Sequence, residues 1–129
     1  MNFTFVSLLL TTLLFIVLDF IWFRFSLPRF YGPTFKAIQG HDIKMRIGAG
    51  IFAWLLLAFG IQYFVLDESV KNGQDAFIRG AIMGFVIYGV YNGTNYATLS
   101  DYDMRTFVAD LTWGTFVSGT VAALAWRFI

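Results

Sequence analysis

Residues Ile47 to Leu66, IGAGIFAWLLLAFGIQYFVL, are twenty consecutive residues without a formal charge. About 20 apolar residues are enough for an α-helix to cross the hydrocarbon core of a bilayer. Charges bound the stretch on both sides, with Lys44 and Arg46 before it and Asp67 and Glu68 after it. The stretch therefore predicts a transmembrane helix.

Three similar stretches flank it, and their few internal charges include Asp19, Arg24 and Asp110. The first has no small-residue cleavage site after its apolar run, so it is predicted to be a retained helix and not a signal peptide. Short connections between spans are typical of antiparallel neighbours. The sequence predicts an all-α, antiparallel four-helix transmembrane bundle, a single domain over residues 1–129, with spans at about 2–25, 47–66, 77–99 and 106–128.

Composition supports this class and excludes others. The chain is 58% apolar and 13% charged, whereas soluble domains carry about 25% charged residues. Zero cysteines and one histidine exclude a disulfide framework, a thiolate metal site and a histidine-rich metal or haem site, so no metal or cofactor is expected. The net charge of +1, with its cations scattered over loops, excludes a nucleic-acid footprint. The expected partner is the lipid bilayer.

The longest connection, residues 26–46, contains Pro28 and Pro33, which are expected to end the first helix. Phe35 and Ile38 then form a short amphipathic pattern. Two interpretations stay open for this connection, a half-helix lying on the membrane surface and an ordered loop.

Lysine and arginine are unevenly distributed between the two sides of the bundle. Since cytoplasmic loops carry an excess of these residues, the bias places both termini outside and residues 26–46 in the cytoplasm. The side with the termini has Lys71, Arg79 and Arg127, and the other side has Arg24, Arg29, Lys36, Lys44, Arg46 and Arg105.

Polar residues within the spans gather at one depth. Counting 1.5 Å per residue places Asp19 and Asp110 both about 7–10 Å inside the cytoplasmic boundary. On the third helix, Tyr88, Asn92 and Asn95 share one face because they are four and three residues apart. Such residues are costly in lipid and indicate a functional site.

Each aspartate begins a D-x-x-W pattern, Asp19 with Trp22 and Asp110 with Trp113. Because three residues is nearly one helical turn, each indole lies on the side of its carboxylate. The two indoles are expected to bracket a pocket above and below. The predicted ligand-binding residues are Asp19, Trp22, Tyr88, Asn92, Asn95, Thr98, Asp110 and Trp113.

Each of these predictions has a structural alternative. The carboxylates either bind a cation, a protonated amine or a proton as a coupled pair, or cap helices and pair with Arg24 or Arg105. The asparagines either recognise a ligand or join helices by hydrogen bonds. The indoles either stack on a ligand or belong to an interfacial aromatic belt, and Trp54 is expected to face lipid or to fill space.

Sequence signals for catalysis are few. His41 and Asp42, in the long connection, are a candidate acid–base dyad, but no nucleophile lies near them in the sequence. No Walker, G-x-G-x-x-G, H-E-x-x-H or G-x-S-x-G pattern occurs. Catalytic residues therefore stay unassigned, and whether the protein is an enzyme stays open.

The run from Tyr88 to Leu99, YGVYNGTNYATL, and the later DLTWGTF from Asp110 to Phe116 resemble an uncharacterised family of small bacterial integral membrane proteins, a domain of unknown function. The segment LDFIW from Leu18 to Trp22 fits as well, and the resemblance covers essentially the whole chain. It implies a four-helix protein of the bacterial inner membrane and no established activity. Gly93 stands where many members have leucine.

The leading hypothesis is a module that binds or transports a small polar or cationic ligand between helices one, three and four. Because one four-helix chain is small for a carrier, a homodimer through a glycine face such as Gly80-x-x-x-Gly84 or Gly89-x-x-x-Gly93 is expected. The alternatives are a lipid-modifying enzyme or its accessory subunit, with the carboxylates as acid and base, and a purely structural membrane subunit.

Overall fold

The computed structural model describes residues 3–129, and over this range the chain is helical and contains no β-strand. Two π-helical segments are present: Leu27–Tyr31 joins the first two α-helices into one, and Ile61–Val65 lengthens the third. The described chain thus forms four continuous helical rods, which confirms the predicted all-α four-helix class. The α-helices are α1 (Phe5–Ser26), α2 (Gly32–Gln39), α3 (Ile47–Gly60), α4 (Gly73–Thr98) and α5 (Met104–Phe128).

The rods alternate in direction, because each is joined to the next by a short connection. We call the end with residues 66–72 and Ile129 the terminal end, and the end with α2 and residues 99–103 the loop end. The predicted first span begins at Asn2, which lies outside the described residues. The description of the whole chain as a single transmembrane domain stays a prediction.

Compared with a soluble protein, the surface is richer in large apolar side chains and the interior is richer in polar ones. Large apolar side chains such as Phe5, Phe52 and Val90 are exposed, whereas the interior of the described chain holds eleven polar or charged residues beside thirteen apolar ones. In water this surface would carry a large hydrophobic penalty. A surrounding of lipid removes that penalty, as expected for an integral membrane protein.

Three rods are long and apolar enough to cross a membrane, namely Phe5–Gln39, Ile47–Val65 and Met104–Phe128. The fourth, α4, has 26 residues, about 39 Å at 1.5 Å per residue. It is long enough to span, but the asparagines, threonines and tyrosines of its second half lower its hydropathy.

The expectation that Pro28 and Pro33 end the first helix is wrong. The chain stays helical through both prolines by widening one turn into the π-helical segment. Gly32 makes this possible, because its N–H donates to the carbonyl of Leu27 and a Cβ atom at this position would lie 2.6 Å from that oxygen. The expected surface half-helix or loop is instead an extension of the first rod as far as Gln39.

Small residues bring α4 and α5 into close contact. A Cβ atom on Gly80 would lie 2.6 Å from the carbonyl oxygen of Ser118, and one on Gly84 would collide with the carbonyl of Gly114. The predicted Gly80-x-x-x-Gly84 contact therefore joins two helices of one chain. Gly93, in the second pattern, faces open space, since a Cβ atom there would have no neighbouring atom within 4 Å.

Candidate functional site

Asp19 is buried in the middle of α1, with 5% of its surface exposed. Its two carboxylate oxygens accept hydrogen bonds from indoles on two other helices. Trp54 Nε1 of α3 donates to Oδ2 and Trp113 Nε1 of α5 donates to Oδ1, both at 2.7 Å. Asp19 thereby joins three of the four rods.

Asp110 is buried on the second turn of α5, with 6% of its surface exposed. Tyr31, in the π-helical extension of α1, donates its hydroxyl to Oδ1, and Asn92 Nδ2 of α4 donates to Oδ2 at 2.6 Å. Trp113, the donor to Asp19, lies three residues after Asp110 on α5. The two carboxylates that the sequence predicts to be neighbours do share one region of the bundle.

Asn92 is fully buried, and its whole amide group is used. Besides Asp110, Nδ2 donates to the backbone carbonyl of Tyr88 at 2.9 Å, and Oδ1 accepts the hydroxyl of Tyr102 at 2.6 Å. Tyr102 lies in the connection between α4 and α5, and burial raises its pKa to about 12. Tyr102 therefore keeps its proton at neutral pH and holds the amide of Asn92 in the orientation that faces Asp110.

The indoles of Trp22 and Trp113 stack on each other, with ring centroids 4.9 Å apart and planes 8° from parallel. The expectation that they bracket a pocket is wrong, because no ligand fits between two rings in direct contact. Trp22 Nε1 donates to the hydroxyl of Tyr31 at 3.0 Å. A continuous chain of contacts thus links the two carboxylates, running from Asp19 through Trp113, Trp22 and Tyr31 to Asp110.

Tyr88 packs directly on Gly114, whose missing side chain makes room for the ring. Its side chain is half-buried, and its backbone carbonyl accepts Nδ2 of Asn92, the donor to Asp110. Tyr88 therefore belongs to the site through Asn92 and Gly114.

The structure places Asn95 beside the network and Thr98 outside it. Asn95 is half-buried one turn beyond Asn92 and lies near the phenols of Tyr91 and Tyr102, but Asn92 makes the contact with Asp110. Thr98 is exposed, and its hydroxyl donates to the carbonyl of Thr94 within its own helix. The polar face of α4 therefore turns out of the bundle after Asn95.

Three contributors were not predicted from the sequence, namely Trp54, Tyr31 and Tyr102. Trp54 was expected to face lipid or to fill space, yet it is buried and bonds to Asp19. Tyr31 lies in the connection for which the sequence leaves a surface half-helix and an ordered loop open, because the flanking prolines are expected to end the first helix. A tryptophan in the middle of a charge-free span, far from the interfaces that tryptophan prefers, was a usable signal for Trp54.

Two threonines fix the helical extension that carries Tyr31. The hydroxyl oxygens of Thr34 in α2 and Thr106 in α5 are 2.7 Å apart, and both side chains are buried. Thr106 also donates to the carbonyl of Phe30 at 3.2 Å. These bonds join the extension of α1 to α5, and they hold Tyr31 against Asp110.

The remaining candidates lie apart from this site. The ring of His41 contacts the backbone carbonyl of Asp42 at 2.9 Å, whereas the carboxylate of Asp42 pairs with Lys36 at 3.7 Å. The two residues do not form an acid–base dyad. Over residues 3–129, no group of three or more His, Cys, Asp or Glu side chains is placed to hold a metal ion.

No basic side chain of the described chain pairs with Asp19 or Asp110. Arg24 is exposed, and Arg105 pairs with Asp103 at 3.2 Å instead of with Asp110. All four donors to the two carboxylates are neutral groups.

The fold and the site together define a polytopic helical membrane protein with a buried aspartate pair between its helices. Residues 4–127 match the family described as "Predicted membrane protein (DUF2177)", and the chain belongs to this family, whose function is unknown. No curated protein and no solved structure matches the chain.

Proposed function

We propose that this protein binds a small cation at Asp19 and Asp110, between the rods that contain α1, α4 and α5, and passes it through the bundle. The observation that carries the proposal is the absence of a counter-charge from the contacts of two buried carboxylates within residues 3–129. An isolated carboxylate is strongly disfavoured in a medium of low dielectric constant.

Neutral donors only partly offset this cost. Two indole N–H groups, one phenol and one amide orient the oxygens of the carboxylates and stabilise negative charge on them. They add no positive charge, so a proton, an alkali-metal ion or a protonated amine is still required for neutrality. We therefore assign the site to monovalent cations as a chemical class.

The loop end is the proposed side of access. Asp110 lies two turns from the start of α5 at that end, and Tyr31 and Tyr102 lie between it and the surface. The excess of lysine and arginine at this end supports a cytoplasmic location for it, with both termini outside. With the resemblance to bacterial proteins, we propose the bacterial inner membrane as the location.

Tryptophan fluorescence tests the proposal, because three of the four tryptophans are part of the network. The purified protein is titrated separately with protons, Na⁺, K⁺ and methylammonium. We expect a saturable change for at least one cation in the wild type and its loss in both Asp19→Asn and Asp110→Asn. The matched control is Asp101→Asn, which changes an exposed carboxylate in the connection before α5.

A wild type that gives no saturable response, or a response that both variants retain, would overturn the proposal. Thermal unfolding of the double variant Asp19→Asn/Asp110→Asn between pH 5 and 8 gives an independent readout. Residues kept for binding usually reduce stability, so we expect the double variant to be at least as stable as the wild type. A large loss of stability at every pH would instead assign the aspartates a structural role.

A further inference from the structure

The polar interior of α1 extends well beyond Asp19. Ser7 and Thr11 are buried on the same helix face toward the terminal end, while Val6 and Leu13 are exposed to the surroundings. Hydroxyl groups on the buried side of a helix and apolar groups outside reverse the pattern of a helix in water. The buried face of α1 therefore also has polar side chains near the opposite membrane face, beyond the carboxylate site.

Gln62, in the π-helical extension of α3, is hydrogen-bonded to one of these side chains. Its Nε2 donates to Thr11 Oγ1 at 2.8 Å, and Thr11 in turn donates to the carbonyl of Ser7 at 2.8 Å. We call Ser7, Thr11 and Gln62 the Gln62 cluster. Since Ser7 caps the first turn of α1 by exchanging hydrogen bonds with Thr4, the cluster reaches the terminal end of the bundle.

The side-chain carbonyl oxygen of Gln62 lacks a hydrogen-bond donor within residues 3–129. Gln62 is 3% exposed, and its Oε1 accepts no hydrogen bond from any described residue. Inside a bilayer a polar atom must be satisfied within the protein or by ordered water. The free acceptor therefore points to a donor that comes from outside the chain.

An irregular turn of the backbone carries Gln62. It is the second residue of the π-helical segment Ile61–Val65, and single π-helical turns are frequent at functional sites. The other π-helical segment carries Tyr31, the donor to Asp110. Each of the two irregular turns thus directs one polar side chain into the same interior.

Phe15 separates the Gln62 cluster from the carboxylates. It lies one turn after Thr11 and one turn before Asp19 on the same face of α1, and it is fully buried. Thr11 and Asp19 are therefore about 12 Å apart along the helix axis, with an apolar ring between them. Two polar regions separated by one buried ring are the arrangement expected of a path for a polar ligand that the ring blocks in this structure.

We propose that the Gln62 cluster is the entrance of a proton path at the terminal end. Asp19 is the proton acceptor inside the bundle, and the ring of Phe15 blocks the path between them. The inference rests on the proposed cation site. A proton is the ligand because Gln62 Oε1 is the one oxygen of the cluster without a hydrogen-bond partner among the described residues. One free oxygen is enough for relay through bridging water, whereas a metal ion requires several oxygen ligands.

In the proposed step, a hydronium at Gln62 Oε1 gives its proton through water to a carboxylate oxygen of Asp19. An O–H bond breaks at the donor, which becomes water, and an O–H bond forms at Asp19. The carboxyl of Asp19 then gives the proton through water to a carboxylate oxygen of Asp110, where a new O–H bond forms, and Asp110 releases it to water at the loop end. Movement of the Phe15 ring admits the bridging water.

The test measures proton influx into liposomes that contain the full chain and a trapped pH-sensitive dye, driven by a potassium diffusion potential. Gln62→Leu removes the free acceptor at similar volume, and we expect it to reduce the influx at least tenfold. The matched control is Thr120→Val, because the hydroxyl of Thr120 bonds only to the carbonyl of Phe116 on its own helix. The control should conduct as the wild type does.

A second variant keeps the proposal testable if Gln62→Leu does not fold. Phe15→Leu shortens the closing side chain, and the expected influx is severalfold above that of the wild type. Absence of proton influx in the wild type, wild-type influx in Gln62→Leu or unchanged influx in Phe15→Leu would each overturn the path. Tryptophan titration of the same preparations tells the two proposals apart, because the cation site can pass its own test while the path fails.

Discussion

Trp54 is the clearest case of a single side chain with two roles, since it fills the interior and donates to Asp19. Trp54→Phe keeps most of the ring volume and removes the N–H group. Leaving one oxygen of a buried carboxylate without its donor costs about 1–3 kcal/mol. We expect a loss of this size in the free energy of unfolding, measured by titration with denaturing detergent.

Trp126→Phe is the control for this prediction. Trp126 is half-buried at the terminal end, where it packs against the apolar core. It should lose clearly less stability than Trp54→Phe. Equal losses for the two variants would show that ring size alone matters at Trp54 and that its hydrogen bond to Asp19 contributes nothing.

At the residue scale, the sequence predicted that the two aspartates, Asn92 and Tyr88 lie in one region of the bundle, because depth and helical spacing depend only on residue number. Their role in ligand binding stays a prediction. The sequence did not reveal Trp54 or Tyr31. Hydrogen bonds between helices depend on how the rods rotate about their axes, and that rotation follows from packing over the whole contact. The same rotation explains why Thr98 faces outward.

At the scale of elements, the α4–α5 pair depends on the absence of side chains at its contact points. A Cβ atom at position 84 would lie 2.6 Å from Ser118 Oγ and even closer to the carbonyl of Gly114. Gly84→Ala should therefore destabilise the protein by about 1–3 kcal/mol, as overpacking does. Detergent unfolding measures this loss.

Gly93→Ala is the matched control on the same helix, since nothing lies within 4 Å of its added methyl group. Alanine has the higher helix propensity, so this variant should be neutral or more stable by up to about 1 kcal/mol. If both variants lost stability equally, close approach of α4 and α5 at Gly84 would be refuted.

Asp103 begins α5, and its carboxylate accepts the backbone N–H of Arg105 at 2.9 Å. This bond and the Arg105 guanidinium hold the pKa of Asp103 below its ordinary value. A lowered pKa in the folded state adds stability above the ordinary pKa, and this stability is lost as the pH falls through the lowered value.

The variant Asp103→Asn can still cap the helix but does not titrate. We expect the wild type to have the higher melting temperature at neutral pH and the difference to disappear as the pH falls below about 4. Thermal unfolding of both proteins across that range measures the effect. A difference that stays constant with pH would rule out any contribution from the charge of Asp103.

The prolines show where sequence patterns fail at this scale. Pro28 and Pro33 would break an ordinary α-helix, but the chain stays helical through a π-helical turn that requires glycine at position 32. Thr106 of α5 adds a hydrogen bond to the carbonyl of Phe30 in this turn. Only Gly32 is local in sequence. The contribution of Thr106 arises only after α5 has packed, so no local pattern could have predicted the continuous rod.

At the scale of the whole molecule, the charge bias makes orientation testable. The chain has no cysteine, so Lys44→Cys and Lys71→Cys each introduce a single thiol in the connections at opposite ends. In intact bacterial cells, a membrane-impermeant maleimide should label the Lys71→Cys variant and not the Lys44→Cys variant. Labelling of the Lys44→Cys variant alone would place both termini in the cytoplasm.

The stacked indoles of Trp22 and Trp113 also have an optical consequence. Two nearly parallel chromophores in van der Waals contact share their excited states, so their absorption band splits in two. The two components have circular dichroism of opposite sign, which is called a couplet. Removing either ring, as in Trp22→Phe or Trp113→Phe, should abolish the same circular dichroism couplet. Since the pair lies on the route of contacts between the two carboxylates, this couplet reports the state of the interior without any added label.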